Sequence, residues 1–319
     1  MQVQVHYHFG FELVLALKKL CASAPLRSST KMYLNCHSYF SLRYGTLSPK
    51  QLVAAAAKRQ LPALALTDIN NTSAAFEFVQ LCKEAGIKPI LGIEFRKDNR
   101  WLYTGLAKNE EGFFELNRFL TDCSLQDKPL PEVPPPMPNT FIIYPRLIKP
   151  IDCFEKNEFL GVQPEYVNRL YFSEVRHHQQ KLVVLSPITF LESDGHDLHK
   201  LLRAIDLNTL LSKLTTKDIA KKSEYFYSLK DLQTLYDGFP TILRNTQQLT
   251  DACSIDFKKR PKRYNRQTFT GSRLGDYQLL EKLALNGCQQ RYGTDHKDCL
   301  LYTSPSPRDQ RGSRMPSSA

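Results

Sequence analysis

Two near-continuous apolar runs, ALAL within LPALALT at residues 61–67 and PILGI within KPILGIEF at 88–95, constrain the fold of this 319-residue chain more than any other feature. Runs of that length without polar alternation suit strands covered on both faces, as in parallel sheets. The segment between them carries Phe76, Val79 and Cys82 at helical spacing, with Thr72 or Ser73 placed to cap it and Gly86 to stop it. Upstream, Ser48-Pro49-Lys50-Gln51 reads as a helix start, with a serine cap, proline at the first helical position and glutamine at the third. A short strand is expected at 32–36 and another at 101–107, followed by a helix over 111–120. Strands alternating with helices of this length predict βαβ units and a mainly parallel α/β sheet. Pattern alone leaves a barrel and a doubly wound sheet both open.

Residues 128–138 (KPLPEVPPPMP) cannot be regular structure, because each proline fixes φ and removes a donor. Beyond this loop, strands are expected near 140–144, 170–174 and 182–185. Helices are expected over 196–211, 229–236 and 241–253. A basic linker at 258–266 then leads to a last helix around 276–286.

Composition excludes several classes of function. No stretch of about eighteen uncharged apolar residues is present, so no membrane span is read. The apolar run at 9–17 precedes Lys18 and Lys19, the reverse of the order in a secretory signal. The eight cysteines are scattered without a CxxC pair, which argues against a zinc ribbon, a redox dithiol or a disulfide framework and for a reducing, cytoplasmic setting. The net charge of +11 is inflated at the ends, by Lys18, Lys19, Arg27 and Lys31 on one side and Arg308, Arg311 and Arg314 on the other. The middle of the chain is mildly basic, which is compatible with nucleic acid without demonstrating it.

Candidate chemistry lies at three strand ends: His37 after the first strand, Asp68 after the second, and Glu94 on the third. Strand carboxyl ends are where α/β folds place their sites, so the three side chains could converge on one rim. Spacing alone does not separate a metal site from ordinary polar residues at strand ends. His6 and His8 have no strand context or carboxylate partner. His196 and His199 lie three apart at a helix start, where packing or capping explains them. Lys258, Lys259, Arg260, Lys262 and Arg263 form a basic run suited either to a DNA backbone or to a solvated linker.

Several long segments, in order and with compatible spacing, carry a resemblance to a known family. NCHSYFSLRYGTLSP and LALTDINNTSAAFEFVQLCKEAGIKPILGIEF resemble the opening of bacterial DNA polymerase III alpha subunits, in a Bacteroidetes-like variant. HDLHKLLRAIDLNTLLSKL, GFPTILRNTQQLTDAC and TFTGSRLGDYQLLEKLALNGCQQRYG extend it over roughly residues 32–296. The resemblance implies a PHP domain, a distorted (β/α)7 barrel, over 32–255. A linker and the start of the polymerase palm region follow over 256–300. It also implies DNA replication as the setting, with magnesium serving the parent polymerase. DNA, the sliding clamp and a proofreading exonuclease are the implied partners, in the cytoplasm and without a membrane.

In complete sites of that family a cluster of His, Asp, Glu and Cys residues binds metals and supports phosphoesterase or 3′–5′ exonuclease chemistry. This sequence departs from that pattern. The opening HxH is Asn35-Cys36-His37, the Asp-His pair is Asp68-Ile69, a strand histidine falls at Leu102, and the late Asp-x-His falls at Pro187-Ile188-Thr189. His37, Asp68 and Glu94 remain as a vestigial set, and apolar replacements offer no lone pair to a metal. The expectation is a catalytically inactive, structural PHP domain that has lost its metals, in a piece of the polymerase lacking the polymerase active site. A stand-alone metal-dependent PHP phosphoesterase is the alternative. Residues 1–31 precede the family's usual start, and 301–319 resemble translated adapter sequence; both ends are expected to be non-native or disordered.

Overall fold

The computed structural model describes residues 32–192, 194–227, 229–257 and 268–293. The basic run at 258–263, His6, His8 and both chain ends lie outside them. The chain divides into two compact units, residues 1–257 and 258–319.

The first unit is built on a seven-stranded mixed sheet. Its strands are β1 (Met32–Tyr33), β3 (Ala63–Leu66), β4 (Lys88–Lys97), β5 (Arg100–Ala107), β6 (Thr140–Tyr144), β7 (Glu158–Val162) and β8 (Leu182–Val184), in that spatial order. A second parallel pair joins β2 (Asn35–Cys36) to β9 (Pro187–Ile188). β2 continues β1, and β9 follows β8, so this pair brings the first and last strands together and curls the sheet back on itself. The antiparallel pairs are β4–β5 and β5–β6. The β4–β5 pair arises because Asp98 and Asn99, with φ of 49° and 64°, make a two-residue hairpin turn that only antiparallel strands can flank; β5 and β6 are joined instead through the helix over Glu110–Leu125 and the proline-rich loop.

Helices cover the sheet. Helix α1 (Pro49–Lys58) starts at the expected capping box: Gln51 N–H donates to Ser48 Oγ at 3.1 Å, and Ser48 N–H donates to Gln51 Oε1 at 2.9 Å. Helix α2 (Ala75–Ala85) ends at Gly86, whose φ of 69° suits glycine. Its start differs from expectation. Thr72 Oγ1 donates to Asn117 at 2.6 Å, Ser73 N–H donates to Asn71, and Ala74 occupies the cap position without a side-chain bond. Helix α3 (Glu110–Leu125) is capped by Asn109.

β3 is buried on both faces, as its unbroken apolar run predicted. Leu64 and Leu66 join the main core with Leu52 of α1 and Phe78 of α2. Ala63 and Ala65 join a second cluster with Ile90, Leu106, Ile143 and Val183, drawn from successive strands. Each large apolar side chain so enclosed contributes roughly 1.5–3 kcal/mol. β4 and β5 approach closely at Gly92, where a Cβ would lie 2.3 Å from Gly105 O.

The strand expected at 170–174 is absent. Val167–Leu170 is a short helix, α4, and a 3-10 segment spans Glu174–Lys181; the strand in this part of the chain is β7 instead. Helix α5 (Gly195–Asp206) stops short of Leu211, and α6 (Leu229–Leu235) and α7 (Pro240–Ala252) complete the unit. No helix among the described residues is long and apolar enough to cross a membrane. In the second unit, α8 (Arg273–Tyr292) is capped by Ser272, and Asp276 accepts from the backbone N–H groups of Phe269 and Thr270.

Candidate functional site

Backbone pairing sets the rim. Thr67 N–H donates to Cys36 O at 2.9 Å, His37 N–H to Ile188 O at 2.8 Å, and Glu94 N–H to Asp68 O at 3.2 Å. These bonds hold the ends of β2, β3 and β9 beside the middle of β4. His37, Asp68 and Glu94, the residues singled out in the sequence, are therefore neighbours, and all three are buried.

Each is consumed by protein partners. Glu94 Oε2 accepts from His37 Nε2 at 2.9 Å and from the Asn35 amide at 2.7 Å, and Glu94 Oε1 accepts from Arg96 Nε. Burial alone would raise this carboxyl; the Arg96 guanidinium and the His37 ring outweigh it and hold it down at about 2. Arg96 in turn donates to Tyr44 OH at 3.1 Å and lies over the Tyr44 ring, 4.2 Å from its centroid. Burial disfavours the charged guanidinium, but Glu94 and the surrounding groups hold it firmly protonated.

His37 reaches further. Its Nδ1 lies 3.0 Å from Thr189 Oγ1, and the single Thr189 hydroxyl proton is donated to Glu224 Oε2 at 2.6 Å. Thr189 must therefore accept from His37, while His37 Nε2 faces a carboxylate. The acceptors facing the two nitrogens assign a proton to each, making the ring an imidazolium. The centre of the rim is a closed set of two carboxylates, Glu94 and Glu224, and two cations, His37 and Arg96.

Asp68 sits apart in a pocket of dipoles. It accepts from Ser38 N–H at 2.6 Å, Ser38 Oγ at 2.7 Å and Ser41 Oγ at 2.7 Å. Its carboxyl is raised, because burial outweighs those bonds. His199 has the packing role expected of it. Its Nδ1–H donates to Tyr44 O at 2.7 Å and its Nε2 accepts from Ala220 N–H at 2.7 Å. Burial, partly offset by the bond to Tyr44, lowers this ring to about 4, so it is neutral near pH 7.

The donors do not fit a metal cluster. Both oxygens of Glu94 and of Asp68 are engaged, both His37 nitrogens carry protons, and the fixed Arg96 cation lies against Glu94, where it would repel a dication. Leu102 is packed in the core, and Ile69 packs beside Tyr44 and Phe190. Among the described residues no group of three or more His, Cys, Asp or Glu side chains could hold a metal ion.

Residues 34–140 match the family model described as the PHP domain. The chain carries a PHP domain. It is 24% identical to the DNA polymerase III subunit alpha of Halalkalibacterium halodurans across 83% of this chain, and 28% identical to that of Borreliella burgdorferi across 82%. An error-prone DNA polymerase from Symbiobacterium thermophilum is 41% identical over 98 residues, 31% of this chain and 9% of that protein. The PHP domain here is thus homologous to that of DNA polymerase III alpha subunits, and the chain spans about a quarter of the length of the Halalkalibacterium and Borreliella relatives, 26% and 27%.

Sequence reasoning did not identify Arg96, Tyr44 or Glu224, and it named Thr189 only as the site of a lost ligand. One signal was available: Glu94 and Arg96 are two apart on a strand, and strand side chains two apart share a face. Thr189 stands where the resemblance puts the histidine of the late Asp-x-His, which marked the position without its present partners; Glu224 comes from a distant segment, and nothing local announces it.

Proposed function

We propose that this PHP domain is a non-hydrolytic, structural module of a DNA polymerase III alpha-type polypeptide that serves DNA replication in the cytoplasm. Homology to the alpha subunits supports the setting. The observation that carries the loss of hydrolysis is the engagement of both Glu94 oxygens by Arg96, His37 and Asn35. Metal-assisted phosphoester cleavage needs metals that activate water and clamp phosphate oxygens. Here the equivalent carboxylate already has its counter-charges, and the PHP metals are absent from the working protein. Magnesium belongs to the polymerase chemistry of the whole polypeptide, as do contacts with DNA, the sliding clamp and a proofreading exonuclease.

A direct assay tests this reading. The purified chain is incubated with 3′-labelled single-stranded DNA in Mg2+, Mn2+ or Zn2+, beside the Glu94→Ala variant. No nucleotide release above that of the variant is expected. Metal-dependent release that disappears in Glu94→Ala would establish a hydrolytic PHP site instead.

A further inference from the structure

The feature with the least obvious reason to exist is a guanidinium inside the rim. Arg96 is only 11% exposed at its side chain, and it contacts a carboxylate that is fully buried. An isolated buried carboxylate is costly, and either protonation or a cation must relieve it. The fold has answered with an arginine, on the same strand and two residues away.

We infer that Arg96 is a built-in counter-cation, standing at Glu94 where a bound metal would otherwise neutralise the carboxylate, so that the domain's stability does not depend on divalent ions. The inference rests on the structural reading of the rim and adds a named residue with a defined electrostatic role. Three observations carry it. First, Arg96 Nε bonds Glu94 Oε1, the oxygen that His37 and Asn35 leave free. Second, the guanidinium is oriented rather than merely nearby: it donates to Tyr44 OH at 3.1 Å and stacks 4.2 Å from that ring's centroid. A planar, delocalised cation can make the ion pair and the stack together, which an ammonium cannot. Third, the backbone that carries Arg96 is pinned. Its N–H donates to Asn70 Oδ1 at 3.0 Å and its carbonyl accepts from Asn70 Nδ2 at 2.8 Å.

Arg96 also connects the rim to the loop above it. Tyr44 packs edge-on against His37 at 5.5 Å and against His199 at 4.6 Å, and Arg203 lies 5.6 Å from its ring centroid. The cation at Glu94 and the closure of residues 38–47 over the rim are one arrangement.

The test is thermal unfolding of the full chain and three variants, each in EDTA and in Mn2+. The wild type should unfold at the same temperature in both. Arg96→Ala should unfold on the order of 10 °C lower, because breaking a buried pair leaves its partner uncompensated. The neutral pair Glu94→Gln/Arg96→Met should recover most of that loss, since replacing both charges removes the stranded one. Arg96→Lys should fall between wild type and alanine, having kept the charge and lost the stack. If Arg96→Ala does not fold, the neutral pair against wild type still decides. A neutral pair as unstable as Arg96→Ala, or unfolded beside it, overturns the inference, because packing rather than charge is then what was lost. A wild type that loses stability in EDTA overturns it too. Nuclease activity in the wild type would instead remove the structural reading beneath it, so the two failures are distinct.

Discussion

Glu94 and Asp68 are two buried carboxylates on neighbouring strand segments, joined through the bond from Glu94 N–H to Asp68 O, and their environments push them in opposite directions. Glu94 faces an imidazolium and a guanidinium and is held at about 2; Asp68 faces two serine hydroxyls and a backbone N–H and is raised. Both have full sets of short hydrogen bonds, so hydrogen-bond count does not explain the difference. Net charge does. Dipoles stabilise a buried anion only partly, whereas a fixed cation at contact distance can exceed the cost of taking it out of water. Two residues of one rim thus show two solutions to the same physical problem.

The sharpest way to break the comparison is Glu94→Ala. It strands Arg96 and His37 together in a buried site, and a loss of about 3–5 kcal/mol in unfolding free energy is expected from removing one partner of a buried charge set. Urea unfolding measures it. A loss below about 1 kcal/mol, the size of an exposed pair, would mean that water already screens the rim. Asp68→Asn should cost less, about 1–3 kcal/mol, because it presents an N–H2 group to donors and leaves part of a neutral network unsatisfied. A larger loss than for Glu94→Ala would invert the ranking on which the comparison stands.

Acid separates the two carboxylates by sign. The folded Glu94 carboxyl lies near 2 against an ordinary 4.5, so its stabilising contribution is complete above the ordinary value and lost as pH falls from there towards 2. Asp68 is raised, so the folded state takes up its proton first, and its penalty is relieved as pH falls through the folded value. In urea titrations across this acid range, Glu94→Gln should flatten the loss of stability on acidification, and Asp68→Asn should steepen it. Parallel shifts of the two curves would show that neither carboxylate is coupled to folding in the way the geometry requires.

Much of the scaffold beneath this rim was legible locally. The Ser48 capping box and the Gly86 stop depend on residues within one turn, and both formed as read. The apolar run of β3 announced burial on both faces because parallel strands require it. The three candidate side chains were placed together because strand ends converge in such sheets. What escaped was everything set by distant partners. Thr72 was read as a cap, yet its hydroxyl belongs to Asn117. The 170–174 segment looked strand-like by composition but forms the turn between a short helix and a 3-10 segment, and the strand formed at β7 instead. The rim was read as a metal site with ligands missing, when Arg96 and Glu224 had supplied a different set of charges and Thr189 a hydroxyl that joins His37 to Glu224. A list of lost ligands describes what a site no longer does; only the tertiary contacts show what replaced it.

The mildest test moves the same chemistry to the surface. Lys83 and Asp256 approach to 2.5 Å, closer than His37 at 2.9 Å or Asn35 at 2.7 Å comes to Glu94, but their side chains are 40% and 60% exposed. If contact distance governed these energies, Lys83→Ala would rival Glu94→Ala. Water screens the exposed pair, and holding two long side chains in one geometry costs entropy that offsets much of the attraction. Lys83→Ala should therefore lower unfolding free energy by less than about 1 kcal/mol, and by less still in high salt. A loss matching that of Glu94→Ala would place the strength of the rim in short contacts as such. A small, salt-sensitive loss beside a large Glu94→Ala effect would place it in the burial of the charged set.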